Sequence, residues 1–312
     1  MAFLKLDFPV HTAGNRLLLP AGATLSRRTL TQLIAGNKTS SQQTRRLFKH
    51  ATIKRDLLDL INCPPYDFIF SDTAKVGRII HMLENFQVPL QVLESLDYFK
   101  SINYYTYCHL IKVFTLSALI VRDFAPNDRY WATFVSTGPT HDIGKICMPL
   151  DLLKKETHLT RAERGIIDHH MTAGYVLLSC FYGDHRHPAA IVARDHHERR
   201  DGSGLPGGLK LRQPMVEAVI VCDIYDALIS SRSYRPEPYD NRTALEEITR
   251  LAEMKKIGWK AVRSLVALNR KAKPEPRQVT VSIEKRGTPP ARNFYGVIAN
   301  GENGGTGPKK NS

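Results

Sequence analysis

The middle of this chain is rich in histidine residues that arrive with acidic neighbours, and any fold must accommodate them. Nine of its twelve histidines lie between residues 109 and 197, and some stand beside an acidic residue, as in His141-Asp142 and His197-Glu198. A single such pair is ordinarily a surface or core feature, but burying many ionisable side chains together is costly without a bound partner. Imidazole and carboxylate ligands suit Fe, Mn, Zn or Ni, so the pattern predicts a metal site.

The spacing around residue 170 predicts one inward-facing histidine of an adjacent pair. Thr160 and Glu163 have the spacing of a capping box, which starts a helix. His170 lies on the apolar stripe of that helix, whereas His169 is turned by about 100° and is expected to face elsewhere. The residues of this stripe are Ile166, Ile167, Ala173, Leu177 and Leu178.

Two further helices are expected to aim metal-binding side chains at the same interior. Pro188 is a favoured first-turn residue, and the helix it begins places His196 on its apolar face. The helix after Pro214 carries Asp223 on its apolar face, and helical spacing does not exclude Asp226. Several helices would therefore converge on one site.

The apolar spacing is mostly helical from residue 51 to residue 270, so we expect a mainly α-helical fold. The expected divisions are a small N-terminal accessory region at 1–95, a helical domain carrying the metal site at 96–272, and a basic tail at 273–312. Alternation in the tail predicts a strand over Val279–Ile283. The glycine-rich end, Gly301–Ser312, is expected to be disordered.

The net charge of +14 is concentrated at the two ends, since residues 1–60 and 271–312 supply 12 of the 14 excess positive charges. The nearly neutral middle argues against a specific nucleic-acid surface. The apolar run Val113–Val121 is too short to span a bilayer, and the N-terminus lacks the apolar core of a secretory signal. Five scattered cysteines favour the reducing cytoplasm.

The motifs, taken together, resemble those of the HD-GYP family of phosphodiesterases. The resemblance covers about residues 100–270, with the segments in the family's order and spacing. It implies a helical bundle of the HD type as the catalytic domain. The matching segments are Tyr105–Val113, His141-Asp-Ile-Gly-Lys145, His170–Gly174, His196–Pro206, and Asp223–Leu228 with Arg232-Ser-Tyr-Arg235.

The resemblance implies two divalent transition metals, most consistent with Fe or Mn. Asp142 would bridge them, and Tyr105 replaces a glutamate that supports a third metal in some members. It also implies that Lys145, Arg232 and Arg235 hold substrate phosphates, with Asp142 and Lys145 counted as catalytic. The implied ligands are His109, His141, Asp142, His170, His196, His197 and Asp223.

The implied reaction is hydrolysis of cyclic di-GMP to linear pGpG, GMP or both by a metal-activated water. Another cyclic dinucleotide or nucleotide stays open as substrate. The family's Gly-Tyr-Pro signature is Gly204-Leu205-Pro206 here, which leaves open a non-hydrolysing sensor and affects expected partner contacts through this loop. An interaction protein with polyanion-binding ends and an oligomer also stay open. Glu198 and Asp201 are expected to fix the loop rather than bind metal.

Overall fold

Short strands and helices build the first hundred residues. The computed structural model describes residues 4–37, 43–125, 127–231, 237–282 and 284–290. Strands β1 and β4, β2 and β3, and β5 and β6 form three antiparallel pairs. The elements in order are β1 Leu4–Lys5, β2 Val10–His11, β3 Leu17–Leu19, β4 Thr24–Leu25, α1 Arg27–Gly36, β5 Thr44–Arg46, α2 Ile53–Ile61, α3 Tyr66–Ile69, α4 Thr73–Asn85 and β6 Gln87–Pro89.

Helices dominate the rest of the described chain. Three short 3-10 helices, at Leu47–Lys49, Ile143–Cys147 and Pro276–Gln278, complete the fold of the described residues. The remaining helices are α5 Leu90–Ile102, α6 Tyr104–Phe124, α7 Asp128–Val135, α8 Leu150–Leu153, α9 Arg161–Asp168, α10 His170–Tyr182, α11 Pro188–Asp195, α12 Pro214–Ile229, α13 Asn241–Glu253 and α14 Trp259–Leu268. The predicted mainly α-helical class is confirmed.

Helices α6 and α12 pack against each other at the centre of the protein. By length and composition α6 could cross a membrane, but 78% of its most apolar 18-residue window is buried inside the protein. That burial is what a core helix requires, since apolar side chains on nearly every face gain from removal from water. The ionisable side chains of α6 and α12 therefore lie in a largely apolar interior.

The helix starts read from the sequence are largely confirmed. Thr160 and Glu163 form the predicted capping box at the start of α9. Pro188 and Pro214 occupy the first turns of α11 and α12. The single helix expected to run from Thr160 past His170 is wrong, because α9 ends and α10 begins at the junction around His169.

The two helices are nearly continuous at this junction. His169 keeps right-handed helical backbone angles, its N–H donates to the carbonyl of Gly165 at 3.2 Å, and its carbonyl accepts the N–H of Ala173 at 2.9 Å. Local side-chain bonds accompany the junction, from His170 Nδ1 to the carbonyl of Ile167 and from the Thr172 hydroxyl to that of His169. The capping box at Thr160 signals where α9 begins and carries no information on where it ends.

The strand predicted over Val279–Ile283 is wrong where it can be checked. Residues 279–282 follow a 3-10 helix without regular structure, and Ile283 lies outside the described residues. Val279 is buried in the core, and the described chain offers this segment no strand to pair with. The expectation for Gly301–Ser312 also falls outside the described residues.

Buried apolar residues on both sides of residue 95 form one continuous core, which includes Leu6 and Val266. Helix α5, Leu90–Ile102, runs across the expected 95/96 boundary. The N-terminal region and the helical domain therefore share packing.

Gly144, in the 3-10 helix Ile143–Cys147, packs directly against the backbone of α10. A Cβ atom at this position would lie 1.9 Å from the carbonyl oxygen of His170 and 2.5 Å from the backbone nitrogen of Gly174. Both neighbours are backbone atoms, so neither can rotate away. Glycine here lets the segment carrying His141 and Asp142 approach α10.

We therefore expect Gly144→Ala to destabilise the fold by about 3 kcal/mol, the upper end for overpacking, and to lower the Tm by at least about 5 °C. Gly165→Ala is the matched control, since nothing lies within 4 Å of a Cβ added at that α9 position. It should leave stability unchanged or raise it by about 0.5–1 kcal/mol. Thermal unfolding of both variants measures the difference, and equal Tm values would contradict the close-packing argument.

Candidate metal centre

Six of the seven predicted ligands form two groups of mostly buried side chains. We name them the His109 trio, which is His109, His141 and Asp223, and the His170 trio, which is His170, His196 and His197. Within each trio the candidate ligand atoms lie within 4.8 Å of one another. Such spacing lets three donors reach one cation.

Each trio is assembled from separate parts of the chain. His109 comes from α6, His170 from α10 and Asp223 from α12. His196 caps the C-terminal end of α11, and His197 follows it. His141 directly precedes Asp142, which caps the 3-10 helix Ile143–Cys147.

Asp142, the seventh predicted ligand, lies between the two trios. Its Oδ1 is 3.2 Å from His170 Nε2 and 3.6 Å from His196 Nε2. Its Oδ2 is 3.5 Å from His109 Nε2 and 3.6 Å from His141 Nε2. One carboxylate thus faces one trio with each oxygen, the arrangement a bridging ligand needs.

Hydrogen bonds on the far side of two imidazole rings test whether the His170 trio fits a cation. His170 Nδ1 is 2.6 Å from the carbonyl oxygen of Ile167, and His196 Nδ1 is 2.9 Å from that of Ala193. Both Nδ1 atoms must therefore carry the proton, because a carbonyl only accepts. In the neutral rings, the two Nε2 atoms are left with lone pairs facing each other at 3.2 Å. A cation between them removes that repulsion, so these residues fit a metal.

The His109 trio gathers the same kinds of donor around one nitrogen. His109 Nε2 lies 3.2 Å from Asp223 Oδ1 and 3.3 Å from His141 Nε2. The other ring nitrogen, Nδ1, lies 2.6 Å from Asp226 Oδ2. A carboxylate behind the ring holds the proton on Nδ1 and directs the Nε2 lone pair into the trio.

The electrostatics of the site favour neutral imidazole at His141 and His197 and ionised carboxylate at Asp142 and Asp223. Burial lowers the pKa of His141 to about 3 and that of His197 well below its usual value. Burial alone would raise the pKa of Asp142 and Asp223, but Lys145 and the histidines hold that of Asp142 well below its usual range, and His109 and the neighbouring histidines do the same for Asp223. Neutral imidazole and ionised carboxylate are the protonation states that bind metal.

His109 differs from His141 and His197 because three carboxylates surround it. Burial lowers its pKa, but hydrogen bonds to Asp142, Asp223 and Asp226 outweigh burial and raise the pKa to about 10. The ring therefore attracts positive charge at Nε2. A metal cation there would take the place of the second proton.

Asp226 and its partners are the functional candidates that sequence reasoning largely missed. Helical spacing left Asp226 open, and no sequence signal pointed to Tyr66, which lies 160 residues away in the chain. The Tyr66 hydroxyl donates to Asp226 Oδ1 at 2.7 Å, and Lys112 Nζ contacts the same oxygen at 2.6 Å. The Ser230 hydroxyl also donates to it, at 3.0 Å.

The predicted phosphate-binding residues are only partly within the described chain. Lys145 Nζ forms an ion pair with Asp142 Oδ2 and is partly buried beside the trios. Arg232 and Arg235 lie outside the described residues. Lys145 thus places a positive charge against the carboxylate that lies between the two trios.

Glu198 organises the loop that contains Gly204-Leu205-Pro206. Its carboxylate accepts the backbone N–H of Gly207 at 2.7 Å and that of Leu209 at 2.8 Å. Asp201 accepts hydrogen bonds from the backbone and hydroxyl of Ser203. Both acidic residues therefore contact the loop as expected.

Leu205 itself contacts the site through its backbone. Its N–H donates to the carbonyl of His197 at 3.1 Å, while the residue is 44% exposed. Gly204 has no room for a side chain, because an added Cβ would lie 2.4 Å from Glu198 Cα. The loop geometry therefore depends more on Gly204 than on the side chain at 205.

A cleft of about 290 Å³ reaches the His170 trio at His197. Three cationic residues, Arg164, Arg199 and Lys256, line it together with Leu205 and with Asp168, which is ion-paired to Arg164 at 2.9 Å. Arg199 and Lys256 thus leave a net positive charge in the lining, which suits an anionic ligand.

A family model described as HD domain matches residues 101–258. The chain is 35% identical over 166 residues to a cyclic di-GMP phosphodiesterase of Thermotoga maritima, covering 53% of this chain and 43% of the relative. It is 36% identical over 167 residues to a cyclic di-GMP phosphodiesterase of Pseudomonas aeruginosa, covering 52% and 38%.

A third relative carries a different substrate in its name. The chain is 31% identical over 137 residues to the 3'3'-cGAMP-specific phosphodiesterase 1 of Vibrio cholerae, covering 42% of this chain and 30% of the relative. The chain thus spans less than half the length of these curated relatives. The HD domain match covers half of the sequence and includes both trios and Asp142, so the chain belongs to the HD domain family, as a protein of the HD-GYP type.

Proposed function

We propose that the chain is a metal-dependent phosphodiesterase that hydrolyses a cyclic dinucleotide, with cyclic di-GMP the foremost candidate. One observation carries the proposal: the carboxylate of Asp142 faces the His109 trio with one oxygen and the His170 trio with the other. Two divalent metals, each beside one trio, would share this bridging ligand. The names of the relatives in Thermotoga maritima and Pseudomonas aeruginosa support the choice of reaction and substrate.

The donor set supports iron or manganese over a thiolate-bound metal. Five imidazoles and two carboxylates stand at the site, and nitrogen and oxygen donors of this kind bind Fe and Mn. When bound, two divalent metals supply Lewis acidity and a water nucleophile at neutral pH. The Tyr105 ring stacks on His109 at a centroid distance of 6.0 Å and offers no carboxylate, which supports two metals rather than three.

The chain's own cations are proposed to hold the substrate. Lys145, beside Asp142, is placed to donate to a phosphoryl oxygen and to stabilise the charge that develops there. Arg232 and Arg235 are assigned to phosphate binding by their family positions alone. The cleft beside His197 would receive a further part of the dinucleotide, because its cationic side chains complement phosphate.

The product is proposed to be linear pGpG, GMP or both. Hydrolysis of one phosphodiester bond of the ring gives pGpG, and hydrolysis of both bonds gives GMP. The relative in Vibrio cholerae is named for 3'3'-cGAMP. That substrate shares the phosphate chemistry that the trios and Lys145 would serve. It is therefore the second candidate within the same reaction class.

A sensor that binds without hydrolysing is the alternative from another class. Its motivation is Leu205, which replaces the family's tyrosine. Two observations favour the enzyme: the full set of candidate ligands is present, and Leu205 contacts His197 through its backbone. A binding protein has no need for two complete trios around a bridging carboxylate.

The remaining proposals concern binding partners, cellular location and the division of the chain into regions. Leu205 and Leu209 are 44% and 43% exposed, and this apolar pair supports a protein partner for the loop, with an oligomer as one form of it. Five free cysteines support the cytoplasm as location. We retain residues 1–95 as accessory region, 96–272 as catalytic domain and 273–312 as basic tail.

The bridging role of Asp142 gives the central functional test. Asp142→Asn keeps the size of the side chain but removes its charge, so we expect metal content to fall from two to at most one per chain. Hydrolysis of cyclic di-GMP should fall by about 100-fold or more, since even residues behind metal ligands cost 10–100-fold when changed. Elemental analysis and chromatography of the nucleotide products measure the two effects.

The matched control is His81→Ala, which removes an exposed histidine far from both trios in sequence. It should leave metal content and turnover unchanged. Equal activity of Asp142→Asn and the unmodified, manganese-loaded protein would contradict the proposed function.

Leu205→Tyr separates the enzyme from the sensor. Because the Leu205 contact with His197 is made by the backbone, we expect the variant and the unmodified protein to hydrolyse cyclic di-GMP at rates within about threefold, well under 1 kcal/mol in barrier height. Single-turnover assays on metal-loaded protein give the comparison. Hydrolysis by the tyrosine variant alone would favour the sensor, and Gly204→Ala should impair the loop in either background.

A further inference from the structure

Tyr66 connects the N-terminal region to the metal centre. It begins the short helix α3, Tyr66–Ile69, well before the segment of 101–258 that matches the HD domain. Only 3% of the residue is exposed, and its ring packs edge-on against Tyr225 of α12 at a centroid distance of 6.3 Å. A buried hydroxyl in this position needs a hydrogen-bond partner.

That partner is Asp226, the carboxylate behind His109. The Tyr66 hydroxyl donates to Oδ1 at 2.7 Å, and Oδ2 lies 2.6 Å from His109 Nδ1. Asp226 is fully buried, so water does not compete for either oxygen. Two hydrogen bonds therefore connect the Tyr66 hydroxyl, through Asp226, to Nδ1 of the His109 ring. The other nitrogen of that ring, Nε2, faces His141 and Asp223.

The remaining contacts of Asp226 come from the helical domain itself. Lys112 of α6 and Ser230 at the end of α12 both reach Oδ1, the oxygen that Tyr66 also holds. Lys112 Nζ also lies 5.4 Å from the centroid of the Tyr66 ring. The tyrosine thus fixes both the carboxylate and the cation beside it, and it is the contribution of residues 1–95 to this network.

We infer that Tyr66 is a positioning residue for the metal centre: it orients Asp226 so that His109 presents Nε2 to the His109 trio. The N-terminal region would then complete one of the two metal sites instead of only adjoining the catalytic domain. This inference rests on the proposed function. It predicts an asymmetric defect, because the His170 trio is oriented by the carbonyls of Ile167 and Ala193 and does not use Tyr66.

The chain provides a close control for the loss of this hydroxyl. Tyr107 is also buried, and its hydroxyl donates to another carboxylate, that of Asp56, at 2.5 Å. Asp56 is bonded to Lys100 and Thr52, which are not among the candidate ligands. Tyr66→Phe and Tyr107→Phe therefore each remove a buried tyrosine hydroxyl that donates to a carboxylate. Tyr107 precedes His109 by two residues on α6, but its hydroxyl donates to Asp56, whereas that of Tyr66 donates to the carboxylate behind His109.

The experiment is a titration of the metal-free 312-residue chain with Co²⁺, followed by visible absorption. We expect two Co²⁺ per unmodified chain. In Tyr66→Phe one binding step should weaken by about tenfold, the lower end for a partner behind a metal ligand, while the other is unchanged. In Tyr107→Phe both steps should be unchanged. Circular dichroism should show the same helical content in all three proteins.

Each contrary result has a separate meaning. Unchanged Co²⁺ binding in Tyr66→Phe would overturn the inference while leaving the proposed function intact if the unmodified protein hydrolyses cyclic di-GMP. Equal weakening in both phenylalanine variants would overturn it too, by tracing the effect to general stability. Absence of Co²⁺ binding by the unmodified protein would overturn both proposals together.

Discussion

The candidate site is built on an electrostatic conflict: several imidazole nitrogens with lone pairs lie close to one another and to the buried carboxylate of Asp142. His170 and His196 direct Nε2 atoms at each other across 3.2 Å, and Asp142 lies beside both. In an apolar interior this arrangement is unfavourable unless a cation balances it. The packing of the helices brings nitrogen and oxygen donors from α6, α10, α11 and α12 to one place, where a cation could neutralise their repulsion.

Different kinds of group orient the candidate histidine ligands on the two sides of Asp142. Backbone carbonyls of Ile167 and Ala193 hold the protons of the His170 trio, so ligand orientation there is built into α9, α10 and α11. His109 relies on a side chain, Asp226, whose own position depends on a distant tyrosine. The first arrangement is local and rigid, whereas the second makes one site sensitive to how the N-terminal region packs.

Much of the fold and the candidate ligands could be predicted from local signals. The capping box at Thr160 and the prolines at 188 and 214 start helices because they act through their nearest neighbours in sequence. The break at His169 escaped prediction because a capping box signals only where a helix begins. The irregular course at Val279 escaped it because the described chain places no strand beside this segment.

Long-range contacts explain what the sequence could not reveal at the site. Tyr66 and Asp226 are 160 residues apart, and no periodicity links them. The bridging position of Asp142 came from a family resemblance, and the two sets of distances from its oxygens give it a physical basis. The seven predicted ligands lie together, whereas the arginines at 232 and 235 keep their assigned role as a prediction.

Anomalous X-ray diffraction from crystals grown with Mn²⁺ tests the central claim most directly. Data recorded on the two sides of the manganese absorption edge locate each ion independently of any assumed ligand set. The account predicts two peaks, one within coordination distance of each trio, with one oxygen of Asp142 bound to each ion or shared between them. A single peak, or two peaks with Asp142 bound to neither, would contradict it.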